Sequence, residues 1–239
     1  MFFLPLFTTL HFRFVPTIFL GSDFYFFYHP DLIRKIDKIE QIQLAQKCKF
    51  LIPKTIISNN KNDIEDFLEK HVQNGLIIKT MNSHYTEYNG KLYEVFGKVI
   101  YENNLDIEEL AVVPTIIQEL IRFSKEARVT VIGDKVMGAL IHKDSNEGDW
   151  HHEGVKHIKS STLEVPKDIQ NKCVNFLKEA QLDYGAFDFM ITQEDEWYFL
   201  EVNPLGDWRW VELDTGQNIT KEIVDYFINK TLNDKEGNL

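Results

Sequence analysis

Two carboxylates and one amide carry the clearest chemistry in the chain. Asp188 lies within Tyr184-Gly-Ala-Phe-Asp-Phe-Met-Ile-Thr192, and Glu201 and Asn203 lie within Trp197-Tyr-Phe-Leu-Glu-Val-Asn-Pro204. Both stretches read as strands, and Glu194-Asp195 between them reads as a hairpin turn. A turn centred on those two residues sets Asp188 directly opposite Glu201, with side chains ~5 Å apart. Asn203 joins the same face two residues on. Phe187 then faces Val202, and Phe189 faces Leu200, on the other, apolar side. Two opposed carboxylates on a half-buried sheet repel and lose hydration, so a cation is expected between them. An all-oxygen set of Asp188, Glu201 and Asn203 suits a hard ion such as Mg²⁺. Spacing alone leaves a polar sheet face without any ion equally open.

Several other residues could meet an anion. Lys79 ends the apolar run Leu76-Ile77-Ile78; its ammonium either neutralises a phosphate or snorkels to water. Arg128 offers a planar fork suited to phosphate or carboxylate, or to a surface ion pair. Lys38 sits on an amphipathic pattern, where solvation is the ordinary fate. The histidines His84, His142, His151, His152 and His157 fit no zinc-ligand spacing and have no paired cysteines beside them. Trp150, Trp208 and Trp210 either line a groove or pack a core. No serine or cysteine stands in the setting of an activated nucleophile.

The elements that must position these groups alternate in type. Apolar residues at Leu32, Ile33, Ile36, Ile39, Ile42 and Leu44 recur at helical spacing between Asp31 and Lys49. Lys54 to Ile57 reads as a strand. Asp63 is placed to cap a helix running to about Gln73, which Gly75 ends before the strand Leu76 to Lys79. Residues 81–95, with Asn89-Gly90, carry a hairpin signal. Pro114 to Ile121 is a strand, and Ala127 to Ile132 and Lys135 to Ile141 form a hairpin around Gly133-Asp134. Residues 142–160 read as a loop, Pro166 to Gln181 as a helix, and a last helix begins near Thr220. The mixture of helices and antiparallel hairpins is α+β.

A length of 239 residues with 44% hydrophobic content allows one sizeable domain or two small ones. The formal charge of −11 argues against nucleic acid, which needs a basic surface. Cys48 and Cys173 are the only cysteines, so no disulfide framework is expected and a reducing cytoplasm is the default. Nine of the 18 phenylalanines fall between Phe2 and Phe27. That opening lacks the form of a signal peptide, and His11, Arg13 and Pro16 interrupt it as a membrane span. An extension or remnant, a buried strand-turn unit and a membrane-associated segment all stay open for residues 1–30.

The hairpin, read as GAFDFM and FLEVNPLG, resembles the metal-binding signature of the ATP-grasp superfamily. Other similarities follow in the order that superfamily requires. Asp37-Lys38, Gln43-Leu44-Ala45 and Ile52-Pro53-Lys54-Thr55 resemble its opening helix and strand. Ile77-Ile78-Lys79 resembles the strand whose lysine reaches the nucleotide phosphates. Ile117-Gln118-Glu119-Leu120-Ile121 resembles the hinge that reads adenine, and Glu126-Ala-Arg128 resembles the strand that follows.

The resemblance spans about residues 31–230. It implies an ATP-grasp fold of two α+β subdomains, 31–112 and 113–239, clasping a nucleotide. It also implies ATP held by Lys38, Lys79, Gln118, Glu119, Leu120, Ile121 and Glu126, Mg²⁺ on Asp188, Glu201 and Asn203, and Lys79 and Arg128 in catalysis. Asp149-Trp150 and Asn203-Pro-Leu-Gly-Asp-Trp-Arg-Trp210 are most similar to the microviridin-type ligases that macrocyclise ribosomally made peptides, with RimK-like glutamate ligases next. Trp208 and Arg209 would then contact substrate. Gly206-Asp207-Trp208 stands where those peptide ligases commonly have Gly-Gln-Trp, and His151 stands where an arginine often follows Asp-Trp. The resembling enzymes carry a further N-terminal domain before the Lys38 helix, so a shortened chain or a displaced start is expected. The implied activity is carboxylate ligation to an amine or hydroxyl through an acyl phosphate, with a precursor peptide as partner and a homodimer left open. A RimK-like amino-acid ligase and an inactive ATP-binding protein are the alternatives.

Overall fold

The computed structural model describes residues 36–79, 81, 85–88, 91–94, 97–101, 105–142 and 159–236. Residues 1–30, Asn89-Gly90, Asp149-Trp150, His84, His151, His152 and His157 lie outside the described residues.

Asp37 starts the first helix, α1 (Lys38–Lys47), because its carboxylate accepts from the N–H groups of Ile39 and Glu40 at 2.8 and 3.0 Å. The helix buries Gln41 and Ala45, followed by Cys48 and Phe50, while Ile39, Ile42 and Leu44 stay half-buried. The isoleucine stripe is therefore not the face most deeply covered. Small Ala45 permits close approach, and Gln41 is buried with its amide engaged, since its Oε1 accepts from Val202 N–H at 2.9 Å.

Four strands form a small antiparallel sheet: β1 (Thr55–Ser58), β2 (Leu76–Lys79), β5 (Lys98–Ile100) and β6 (Thr115–Glu119), in the order β1-β6-β2-β5. Between β2 and β5 run β3 (Tyr85–Tyr88) and β4 (Lys91–Glu94), which pair with each other as the hairpin signal requires. Helix α2 (Lys61–His71) packs Ile64 and Leu68 against Leu76, Ile100 and Ile117 on one face of the small sheet. Asn60, not Asp63, caps α2 by accepting from Asn62 N–H; Asp63 sits in the first turn, where its charge favours the helix dipole. A 3₁₀ turn (Val72–Asn74) follows α2, and Gly75 leaves it at φ 87°, a conformation a side chain resists. The short helix α3 (Ile107–Leu110) precedes β6.

The larger sheet is antiparallel in the order β11-β10-β7-β8-β9, from β7 (Lys125–Ile132), β8 (Lys135–His142), β9 (Lys159–Leu163), β10 (Tyr184–Ile191) and β11 (Trp197–Asn203). Helix α4 (Lys167–Ala180) covers its apolar face with Ile169, Cys173, Phe176 and Leu177. Phe50, Phe176, Phe187, Phe189 and Phe199 meet there with centroids 5.3–6.4 Å apart. Two closing helices, α5 (Arg209–Thr215) and α6 (Ile219–Glu236), pack with Tyr184, Ile132 and Ala139. No described helix is long and apolar enough to cross a membrane.

The β10–β11 pairing departs from the expected register at one point. Asp188 is opposite Glu201 and Phe187 opposite Val202, as expected, but Phe189 is opposite Phe199 across a bulge. Ile191 pairs with Trp197, so the turn is centred on Glu194 alone and is one residue longer than expected. The bulge absorbs that residue and restores the carboxylate pairing. It also sends Phe199, 1% exposed, into the core in place of Leu200.

Changes of sheet do not follow a single point in sequence. Strand β6 closes the small sheet, and the chain crosses to the larger one through residues 120–124, so the expected change at 112–113 lies ahead of β6. Helix α1 belongs to the core under the larger sheet.

Candidate functional site

Cross-strand register lays three charged groups in one row across the larger sheet: Glu201, Asp188 and Arg128. All three lie on the face opposite the phenylalanine core. Arg128 Nε stands 3.2 Å from Asp188 Oδ1, and Nη2 donates to Oδ2 at 3.3 Å. The side chains are 14% and 26% exposed. Arg128 Nε lacks the alignment for a hydrogen bond and is buried without an acceptor. The guanidinium also lies over Trp210, 5.7 Å from the ring centroid. Arg128 thus neutralises Asp188 from the side away from Glu201.

Glu201 is half-buried, and its carboxylate has no hydrogen bond or ion pair among the described residues. Asn203, two residues on, uses Oδ1 to accept from Leu205 N–H at 2.9 Å. That bond fixes the amide and leaves the oxygen a second lone pair. A half-buried carboxylate without a partner, opposite another carboxylate and near an amide oxygen, fits a hard divalent cation such as Mg²⁺. No group of three His, Cys, Asp or Glu side chains gathers among the described residues, so any such ion must draw on Asn203, water or a bound molecule.

A second group lies on the small sheet. Thr55, Gln118 and Ile77 share a row, and Lys79 follows on the face opposite α2. Lys79 Nζ donates to Gln118 Oε1 at 2.8 Å, and Gln118 Nε2 donates to Thr55 Oγ1 at 2.9 Å.

Between the sheets, a cavity of about 360 Å³ is lined by Asn74, Glu119, Leu120, Ile121, Arg122, Thr192 and Tyr198. Glu119 and Leu120 donate their N–H groups to Lys54 and Gly75 carbonyls at 2.8 and 3.0 Å, which fixes the hinge backbone. Burial first, then the charges of Glu196 and Glu119, pushes the Tyr198 phenol above its ordinary range.

The remaining expected residues stand on several elements. Lys38 opens α1. Glu126 lies on β7 beside Met190 and Ile141, on the face that carries Arg128. Trp208 donates from its indole to Thr220 at 3.2 Å and packs on Tyr184, tying α5 to α6. Arg209 is exposed and faces Glu212 at 3.5 Å. Sequence reasoning did not single out Asn74, Thr192 or Tyr198 for the cavity, or Thr55 beside Gln118. Tyr198 had a signal in its alternation with buried Trp197 and Phe199; Asn74 and Thr192 had none, since they are brought in by turns.

The chain matches the model of the RimK-like ATP-grasp domain over residues 35–227. It is 22% identical over 201 residues to a probable alpha-L-glutamate ligase of Vibrio parahaemolyticus, covering 81% of this chain and 63% of that protein. The chain thus spans less than two thirds of that curated relative. Two solved structures are similar. One is a RiPP-associated ATP-grasp ligase of Chryseobacterium gregarium in complex with ADP and a leader and core peptide: TM-score 0.78, 28% identity, 96% of this chain and 71% of that one. The other is the macrocyclase MdnC of Microcystis aeruginosa bound with precursor peptide MdnA: TM-score 0.76, 26% identity, 90% of this chain and 69% of that one. The antiparallel sheets and their covering helices form an ATP-grasp fold, and the chain belongs to the RimK-like ATP-grasp family.

Proposed function

We propose that the chain is an ATP-dependent ligase that joins a carboxylate to an amine or hydroxyl, with a ribosomally made peptide as its substrate. The observation that carries this reading is the Glu201–Asp188–Arg128 row, in which a carboxylate that has no side-chain partner among the described residues faces an ion-paired one. Such an arrangement costs stability and suits binding of a cation with its phosphates. In this reading the cavity beside residues 119–122 takes the adenine. Lys79 and Lys38 meet the phosphates, and Asp188, Glu201 and Asn203 hold Mg²⁺. Mg²⁺ held by these residues would supply positive charge to offset that of the phosphates.

The chain's own groups supply charge and orientation. A substrate carboxylate oxygen attacks the γ-phosphorus, the bond to the ADP oxygen breaks, and an acyl phosphate forms. Arg128 and Lys79 stabilise the charge on the transferring group. An amine or hydroxyl then attacks the acyl carbon, phosphate leaves, and the nucleophile's proton passes to phosphate or water. No protein nucleophile enters this sequence.

The peptide substrate is favoured by the two peptide-bound structural neighbours. Transfer of a free amino acid is the second reading, favoured by the glutamate-ligase relative. Mass spectrometry of a candidate precursor incubated with the chain, ATP and Mg²⁺ separates them. Loss of whole waters, with fragments missing between the joined residues, is expected. Gain of an amino-acid residue mass would favour the second reading, and an unchanged mass with no ADP released would overturn both.

A further inference from the structure

Thr55, at the start of β1, reaches the candidate site only through another side chain. Its hydroxyl donates to the Pro53 carbonyl at 2.7 Å. Its oxygen accepts from Gln118 Nε2 at 2.9 Å, and Gln118 Oε1 accepts from Lys79 Nζ at 2.8 Å. A threonine hydroxyl has one proton, and an ammonium can only donate. With the Thr55 proton committed to a backbone carbonyl, Gln118 must present its NH₂ group to Thr55. With Lys79 as donor, Gln118 must present its oxygen to Lys79. Both ends demand one orientation of an amide that could otherwise turn over. Gln118 is 5% exposed, so turning it would leave buried polar groups without partners.

We propose that Thr55 is a positioning residue for nucleotide binding: it orients the Gln118 amide and thereby holds the Lys79 ammonium where phosphates arrive. This rests on the reading that Lys79 meets the phosphates. Its physical content is directional. A lysine on a four-carbon stem samples many positions; a hydrogen-bond chain anchored at a backbone carbonyl reduces them before the ligand binds. Thr55→Val keeps the shape, removes the hydroxyl and leaves Gln118 free to turn its hydrogens toward Lys79. Thr55→Ser keeps the chain intact.

The test is calorimetric titration of Mg-ATP into the full chain and its variants. Thr55→Val is expected to bind about 5–10-fold more weakly than wild type, the loss of one net hydrogen bond, while Thr55→Ser recovers most of the affinity. In a Lys79→Ala background, Thr55→Val should add little, because Thr55 acts through Lys79. Equal affinity of Thr55→Val and wild type would overturn the proposal, as would the same fold-loss in the Lys79→Ala background. A wild type that binds no Mg-ATP would overturn the nucleotide reading itself. A nucleotide-free readout tests the chain separately. Acetic anhydride labelling of Lys79, followed by peptide mass spectrometry, should be faster in Thr55→Val than in wild type or Thr55→Ser, and equal rates would show that Thr55 does not hold the lysine.

Discussion

Neutralising the two opposed carboxylates one at a time should have opposite effects on the stability of the ligand-free chain. Asp188→Asn keeps an oxygen for Arg128 but removes the charge that compensates a guanidinium only 14% exposed. The amide oxygen still meets a charged guanidinium but no longer neutralises it; that loss outweighs the relief of repulsion from Glu201, and the expected net cost is about 1–2 kcal/mol. For a chain of this size that lowers Tm by about 2–8 °C. Among the described residues the Glu201 carboxylate has no partner to lose. Its bare repulsion with Asp188, at ~5 Å and an effective dielectric near 20, is about 3 kcal/mol. Arg128 cancels most of that, leaving relief of about 0.5–1 kcal/mol and a Tm unchanged or slightly raised in Glu201→Gln. Both variants should lose Mg-ATP-dependent stabilisation and turnover. Thermal denaturation with and without Mg-ATP makes the comparison. A Glu201→Gln chain that melts clearly below wild type without nucleotide would refute the view that Glu201 is held at a cost.

The bulge is tested by paired truncations: Phe199→Ala should cost about 3–5 kcal/mol in urea denaturation, and Leu200→Ala distinctly less, since the core residue is Phe199. Trp210→Leu should weaken the hold on Arg128 by about 0.5–1 kcal/mol, seen as a lower Tm in wild type background and no change when Arg128 is already alanine. Glu212 accepts from the Thr220 hydroxyl and N–H, which lowers its carboxyl pKa. A lowered folded-state pKa gives stability that is present above the ordinary glutamate range and lost as pH falls through the folded value. Acid titration of stability should therefore be shallower in Glu212→Gln than in wild type.

The hairpin was legible because strand alternation and a short polar turn leave few registers, and a carboxylate pairing is a local consequence. The length of the turn was not legible, because Asp195 adopts φ 57° without a glycine to announce it. The compensating bulge was hidden by Leu200 and Phe199, which are equally apolar neighbours. Strands β5 and β9 were missed for a different reason. Lys98-Val-Ile100 and Lys159 to Leu163 have little strand pattern of their own and are set by the partners they extend. Helix α5 is short, and the tryptophans at its start were left open between groove and core; Trp208 is committed to Thr220 and packs against the core. The cavity could not be read, since its walls come from a hinge, a 3₁₀ turn and a distant hairpin turn that only the fold brings together.

Open sheet edges offer N–H groups to any passing strand, which invites aggregation or the addition of a peptide as an extra strand. Here α1 does more than cover the core: Gln41 takes the outward N–H of Val202. At the opposite border, Asp214 takes the N–H of Ser160. A side chain can accept such a hydrogen bond without offering a new edge in return, so the sheet terminates at these positions instead of propagating. Strand addition at Val202 and Ser160 is thereby blocked for any extended chain that meets this sheet, because the N–H that such a strand would need is already taken.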